Sequence, residues 1–389
     1  MNPKKFLKNK SICTLPWSGF QLGSNGVVKN CIISKTQLGN INDTNIRDIL
    51  SGKYNTQLKK SMIADKMPAN CSGCHLQEKN RSDLTSISSR LYYHKELGTK
   101  IPMSFYEDVK NFSLKHVDLR WTNACNQACV YCDPRFSSKW AQELGVKIKS
   151  HQEAREDVKQ FVFDNIQNLE NVYLAGGEPM LMKENIEFLE LLKRKNPNCS
   201  IRVNTNLSTT STGIFELLCS FKKVHWTVSI ETIESEYEYV RHHGKWKDFC
   251  QNLDHIKRPG HKISFNMLHF ILNYKSIHDC VAFLKNRGFH DNSFIIGPLF
   301  EPTWYNNLNL PTPMLEDIVN TLKKKLQERP DGYLKNSYEN LLSYYTTTTW
   351  TKNLTPFYEN MKLIDERRHV DSKKVFTNLY EELNAHAME

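Results

Sequence analysis

Between about residues 115 and 300 the chain alternates short apolar runs of strand length with longer stretches of helical periodicity. The short runs predict six strands, at 117–120, 172–175, 201–205, 226–230, 263–271 and 294–297. Helical spacing fills the intervals near 151–168, 184–195, 212–221, 246–257 and 277–287. Such alternation implies parallel strands with right-handed crossovers, because a parallel neighbour is reached only through a long connection. Six units of this kind fit a doubly wound sheet or an open barrel, and the pattern leaves both open. Beyond Pro311 the pattern is mostly helical, with aromatic clusters from Tyr338 to Tyr345 and at Phe357-Tyr358, for which packing is the simplest role.

The chemically unusual residues fall at or just after the predicted strand ends. Cys125 follows the first strand, Gly176-Gly177-Glu178-Pro179 the second, Asn204 and Asn206 the third, and Ser229 and Glu231 the fourth, while Ile296 lies on the last. In a parallel barrel those ends share one rim, where active sites collect. Cys125, Cys129 and Cys132 make a C-x3-C-x2-C run. Cubanes are normally held by four thiolates, so three suggest a [4Fe-4S] cluster with one open iron. Part of a zinc site is the alternative. Cys13, Cys31, Cys71 and Cys74 form a second group, whose four thiolates suit a complete cluster or a structural zinc. Cys199, Cys219, Cys250 and Cys280 read as small hydrophobes.

A chain of 389 residues can bury a full core, with room for one large domain and additions. Its eleven cysteines are clustered rather than dense, which reads as metal ligation in a reducing cytosol, so a cytoplasmic protein is expected. The basic N-terminus lacks an apolar core and no stretch is long enough to span a bilayer. The formal charge of +10 keeps a nucleic-acid partner open, although runs such as Lys323-Lys324-Lys325 read as a solvated helix face.

The cysteine run, with Tyr131 between its last two members, and the Gly176–Pro179 motif about fifty residues on resemble the radical S-adenosylmethionine (radical SAM) signature. The resemblance implies a partial (β/α)6 barrel at 111–305, a [4Fe-4S] cluster on Cys125, Cys129 and Cys132, and SAM chelating the open iron. It implies reductive cleavage to a 5'-deoxyadenosyl radical, driven by a reductant such as flavodoxin or ferredoxin. In similar sequences Tyr131 packs near the adenosyl group, and carbonyls of the Gly-Gly turn with Glu178 meet the SAM ammonium. Asn204, Asn206, Ser229 and Glu231 would meet the ribose, and Arg241, which read alone is a surface helix charge, the SAM carboxylate. Ile296 on the last strand suits packing on the adenine and a place in the core equally. Glu231 stands where relatives commonly carry Asp. The residues at 1–110 resemble twitch or SPASM-type auxiliary cluster modules, here N-terminal, and 306–389 form a helical extension. That likeness includes Leu38-Gly39-Asn40, Glu78, Asn309-Leu310-Pro311 and the run from Leu363 to Arg368. It departs at Ile32, where relatives often double the cysteine, and at Asn80-Arg81-Ser82, where they carry a Gly-rich step. A peptide or other small-molecule substrate follows from the resemblance. The alternatives are an enzyme modifying nucleotides or nucleic acid, and a non-catalytic iron-sulfur sensing protein.

Overall fold

The computed structural model describes residues 11–79, 88–147 and 152–386, so Asn80-Arg81-Ser82 lies outside the described residues. Its strands, in chain order, are β1 (Gly19–Leu22), β2 (Val27–Lys29), β3 (Gly39–Asn40), β4 (His116–Leu119), β5 (Ala128–Cys129), β6 (Asn171–Leu174), β7 (Ser200–Thr205), β8 (Val224–Ser229), β9 (Arg241–His242), β10 (Lys262–His269) and β11 (Phe294–Pro298). The six expected strands are β4, β6, β7, β8, β10 and β11, with ends moved by two residues or fewer. The five expected connecting helices are Gln152–Asp164, Glu184–Lys195, Gly213–Cys219, Trp246–Lys257 and Ile277–Asn286. The architecture is α/β with mostly parallel strands and a helical C-terminal region. Contacts divide the chain into two compact units. The first takes the chain up to Cys125 with Pro134–Asn204 and Ser211–His225, and the second takes Asn126–Asp133, Thr205–Thr210 and the chain from Trp226 on.

The first unit orders its strands β3-β2-β1-β4-β6-β7. β1 pairs parallel with β4, β4 with β6 and β6 with β7, while β2 joins β1 and β3 antiparallel. β1 comes from the N-terminal cysteine segment and was absent from the periodicity, because its four residues are buried on both faces and show no alternation. Gly19 makes its approach possible, since a Cβ there would stand 2.7 Å from the His116 carbonyl oxygen. On one face of this sheet Phe20, Val117, Leu119, Val172, Leu174, Ile201 and Val203 are buried. Period-2 alternation turns Gln21, Asp118, Tyr173 and Arg202 to the opposite face. Trp17, fully buried, centres a separate core with Ile12, Leu58, Met62, Ile101 and Tyr106, against which Cys13 and Cys71 pack.

In the second unit β8, β10 and β11 are neighbours in that order, with Phe265 of β10 opposite Phe294 of the parallel β11. The helix Gly332–Thr347 packs on β11, where Ser337 Oγ accepts the Ile296 N–H at 2.9 Å. Tyr345 Oη is 3.0 Å from His269 Nδ1, and His269 Nε2 is 3.0 Å from the Tyr274 carbonyl. The aromatic C-terminal segment therefore includes packing residues. Among the described residues no helix is long and apolar enough to cross a membrane.

Candidate functional site

In the first unit, the loop carrying Cys125 is fixed from two sides. Ser138, opening the helix Ser138–Glu143, accepts the Cys125 N–H at 3.1 Å and donates to the Cys125 carbonyl at 3.0 Å. Ser137 caps that helix by accepting the Trp140 N–H at 3.2 Å, which sets the position of Ser138. From the other side comes the turn after β6. Gly177 N–H donates to the Thr122 carbonyl at 3.4 Å and Glu178 N–H to the Ala124 carbonyl at 2.7 Å. Gly176 has φ +115°, which a side chain would strain, and a Cβ on Gly177 would fall 2.2 Å from the Ala124 oxygen. Both glycines thus serve close approach to the cysteine loop. Glu178 is buried, and its Oε1 accepts the Met180 N–H at 3.1 Å, capping the short turn Pro179–Leu181. Asn204 is half-buried on β7.

In the second unit, Cys129 on β5 is in register with Arg241 on the antiparallel β9. Val130 N–H extends that pairing to the Val240 carbonyl at 2.9 Å, and Cys132 N–H turns back to the Cys129 carbonyl at 2.9 Å. Arg241 is only 3% exposed, not a surface helix charge. Its Nε and Nη2 donate to Glu231 at 2.8 and 2.7 Å, and its Nη1 lies 3.9 Å from Cys129 Sγ. The guanidinium carbon is 6.0 Å from the Tyr131 ring centroid, and Tyr131 meets Phe270 edge-on at 5.7 Å. Burial alone would weaken the Arg241 charge, but Glu231, Tyr131 and Cys129 outweigh it and raise its pKa well above the ordinary value. Burial pushes the Cys129 thiol up, and Arg241 pulls it back.

Two residues expected at the ribose are engaged by protein groups. Both oxygens of Glu231 meet Arg241. Asn206 donates to Asn126 Oδ1 at 3.2 Å and accepts the Ser208 N–H at 2.9 Å. Ser229 ends β8 half-buried, and Ile296 is 3% exposed on β11. The run from Leu363 to Arg368, named for its family likeness without partners, supplies Arg368, whose Nη2 donates to the Ala128 carbonyl at 2.9 Å, and Asp365, which accepts Tyr239 Oη at 2.7 Å. No local signal marks these partners, which lie more than a hundred residues away. Ser137 was findable, since serine just before a helix is a capping signal.

Cys13, Cys31, Cys71 and Cys74 line one small pocket in the first unit, together with Arg90. Burial raises all four thiols, Cys31 to about 11 and Cys71 to about 12, and the sulfurs of Cys13, Cys31 and Cys71 are further raised by cysteine neighbours. Backbone N–H groups offset part of this: Leu15 at Cys13, Ser34 and Ile33 at Cys31, Arg90 and Ser89 at Cys74. Arg90 is clasped by Glu78 and donates to the Ile12 carbonyl at 3.1 Å. Four thiols, three of them with N–H donors at the sulfur, fit an iron-sulfur cluster. Ile32, at the position of the second cysteine in relatives, is exposed.

Two family models match the chain. Residues 119–284 match the radical SAM superfamily and residues 13–75 the SPASM iron-sulfur cluster-binding domain. This is a radical SAM protein with a SPASM-type iron-sulfur domain. Its first domain implies a [4Fe-4S] cluster and SAM, and its second an auxiliary iron-sulfur cluster. The GTP 3',8-cyclase of Campylobacter lari is 21% identical to the radical SAM protein over 169 residues, 43% of this chain and 50% of that one. The GTP 3',8-cyclase of Nautilia profundicola is 24% identical over 178 residues, 45% and 54% of the two chains. The radical SAM protein thus spans about half the length of the curated relatives it matches. Among solved structures it is similar to SuiB of Streptococcus suis, with TM-score 0.41, 15% identity, and coverage of 77% of this chain and 66% of that one. It is also similar to anSMEcpe with bound AdoMet, with TM-score 0.40, 15% identity, and coverage of 53% and 60%.

Proposed function

We propose that the protein is a radical SAM enzyme that reductively cleaves SAM at a [4Fe-4S] cluster on Cys125, Cys129 and Cys132 and abstracts hydrogen from a substrate. The observation that carries this reading is Cys129 paired in register with Arg241, whose guanidinium is buried, locked by Glu231 and directed at the Cys129 sulfur. When bound, the cluster and SAM supply the electron transfer and radical chemistry. The chain's residues hold and orient.

Arg241 compensates the charge of the Cys129 thiolate and is the cation offered to the SAM carboxylate. Glu231 fixes that cation. Gly176 and Gly177 bring backbone against the cysteine loop, and Glu178 and Pro179 shape the turn that faces the SAM ammonium. Asn204 and Ser229 offer polar groups to the ribose, and Asn206 orders its loop. Tyr131 and Ile296 supply apolar surface to the adenosyl group. Cys13, Cys31, Cys71 and Cys74 hold the auxiliary cluster. The three-part division at residues 110 and 305, a cytoplasmic setting, a flavodoxin or ferredoxin reductant, and a peptide or small-metabolite substrate belong to the same reading. A nucleotide substrate is the second reading, favoured by the two GTP 3',8-cyclase relatives.

The test is 5'-deoxyadenosine and methionine release from SAM by the anaerobically reconstituted, reduced protein, beside a variant with Cys125, Cys129 and Cys132 changed to Ala. Release by the wild type and none by the variant is expected. No release from wild-type protein that contains its clusters and binds SAM, with or without candidate substrates, overturns the reading.

A further inference from the structure

The face of the first unit's sheet opposite the apolar core carries a polar row. Gln21, Asp118, Tyr173 and Arg202 each take the third position of their strand and stand directly opposite one another across β1, β4, β6 and β7. The helix Ser89–Leu97 brings two tyrosines to this row. Arg202 lies with its guanidinium carbon 5.0 Å from the Tyr92 ring centroid and donates to Tyr92 Oη at 3.2 Å. Tyr93 packs on His116 with ring centroids 4.5 Å apart and feels the charges of Asp118 and Arg202 and the Tyr173 hydroxyl.

The charges on this face do not cancel. Asp118 is occupied by Arg120 through two hydrogen bonds of 2.9 and 3.0 Å, and Arg120 also lies 5.9 Å from the Tyr173 ring centroid. Arg202 has no carboxylate partner among the described residues, and its single hydrogen bond uses one of the five N–H donors of a guanidinium. The hydroxyls of Tyr93 and Tyr173, both only half-exposed, make no hydrogen bond among the described residues, and neither does the side-chain amide of Asn204 on the same face of β7. Polar groups withdrawn from solvent are ordinarily satisfied. One positive charge, two hydroxyls and an amide, beside a carboxylate already neutralised, match an oxyanion, which an arginine binds by its planar fork. On β1, β4 and β6 the row stands one residue before the C-terminal strand end, and on β7 Asn204 carries the same face on toward that end, the side on which ligands bind in parallel α/β sheets.

We infer that Arg202, with Tyr93 and Tyr173, forms a binding site for an oxyanion of the substrate, a carboxylate or a phosphate. This rests on the proposed function in taking that sheet face as the substrate's side, and adds the class of group recognised there. Tyr92 holds the guanidinium by its face and hydroxyl, so the remaining edge donates to the ligand.

The test is equilibrium binding to the reconstituted full chain, with glutarate as the carboxylate probe and GTP as the phosphate probe, and with 5'-deoxyadenosine release from SAM measured in parallel. Saturable binding of one probe is expected, weakened roughly tenfold or more in Arg202→Gln. Tyr93→Phe, which keeps the ring on His116, weakens it several-fold, while the exposed-face control Lys324→Gln leaves it unchanged. Preference for glutarate or for GTP identifies the group. Absence of saturable binding for both, or equal affinity in wild type, Arg202→Gln and Tyr93→Phe, overturns the site. Because basal release does not require the oxyanion, loss of release with binding intact strikes the proposed function alone.

Discussion

Glu231 and Arg241 form an ion pair from which water is excluded, with side chains 1% and 3% exposed. Such a pair need not add net stability, yet removing one partner strands a buried charge at a cost of about 3–5 kcal/mol. Glu231→Gln is therefore expected to destabilise the protein by about that amount in urea denaturation, whereas Glu231→Gln with Arg241→Met recovers much of the loss. Equal destabilisation by the single and double variants would show that the stranded charge is not the cause. Gly177 makes a different demand. Its missing Cβ leaves room for the Ala124 carbonyl, and the 2.2 Å clearance cannot be relieved without moving backbone. Gly177→Ala should lower Tm and reduce the iron retained after reconstitution, while alanine at Gly213, where nothing lies within 4 Å of a Cβ, should spare iron content.

At the scale of elements, His269 shows how the C-terminal helices couple to the sheet. Its two nitrogens face the Tyr345 hydroxyl and the Tyr274 carbonyl, an arrangement that suits one neutral tautomer, and burial pushes its pKa down to about 3. The folded state then binds fewer protons than the unfolded chain below pH 6.5. Stability is full above that value and falls as pH drops toward 3, each pH unit between the two pKa values being worth about 1.4 kcal/mol. Urea denaturation between pH 7 and 4 should show a shallower acid decline in His269→Gln than in wild type, and identical slopes would refute the assignment. The strands and crossover helices of this region were legible, because β7 alternates buried and exposed positions and the helix Glu184–Lys195 carries buried residues at helical spacing. β1, β5 and β9 were not. β1 is buried throughout, and β5 and β9 are two residues each, defined by partners distant in sequence.

For the whole molecule, residue chemistry was more legible than residue partnership. The cysteine run and the Gly-Gly turn announced themselves by spacing, whereas the clasp of Arg241 by Glu231 and the contact of Arg368 with Ala128 depend on three-dimensional proximity that periodicity does not encode. The excess of 52 basic over 42 acidic residues likewise says little until individual cations are located: Arg241 is matched by a carboxylate and Arg202 is not. The two cysteine groups allow a sharper whole-chain measurement. A chain with both clusters should bind iron and acid-labile sulfide beyond the roughly four of each that one [4Fe-4S] cluster holds. Changing Cys71 and Cys74 to Ala should return both to about four, with stability also reduced, since those thiols line a cavity beside the Trp17 core. Changing Cys125, Cys129 and Cys132 should remove the other share. If the Cys71/Cys74 variant instead loses stoichiometric zinc and keeps all its iron, the N-terminal cavity braces the fold and carries no electron.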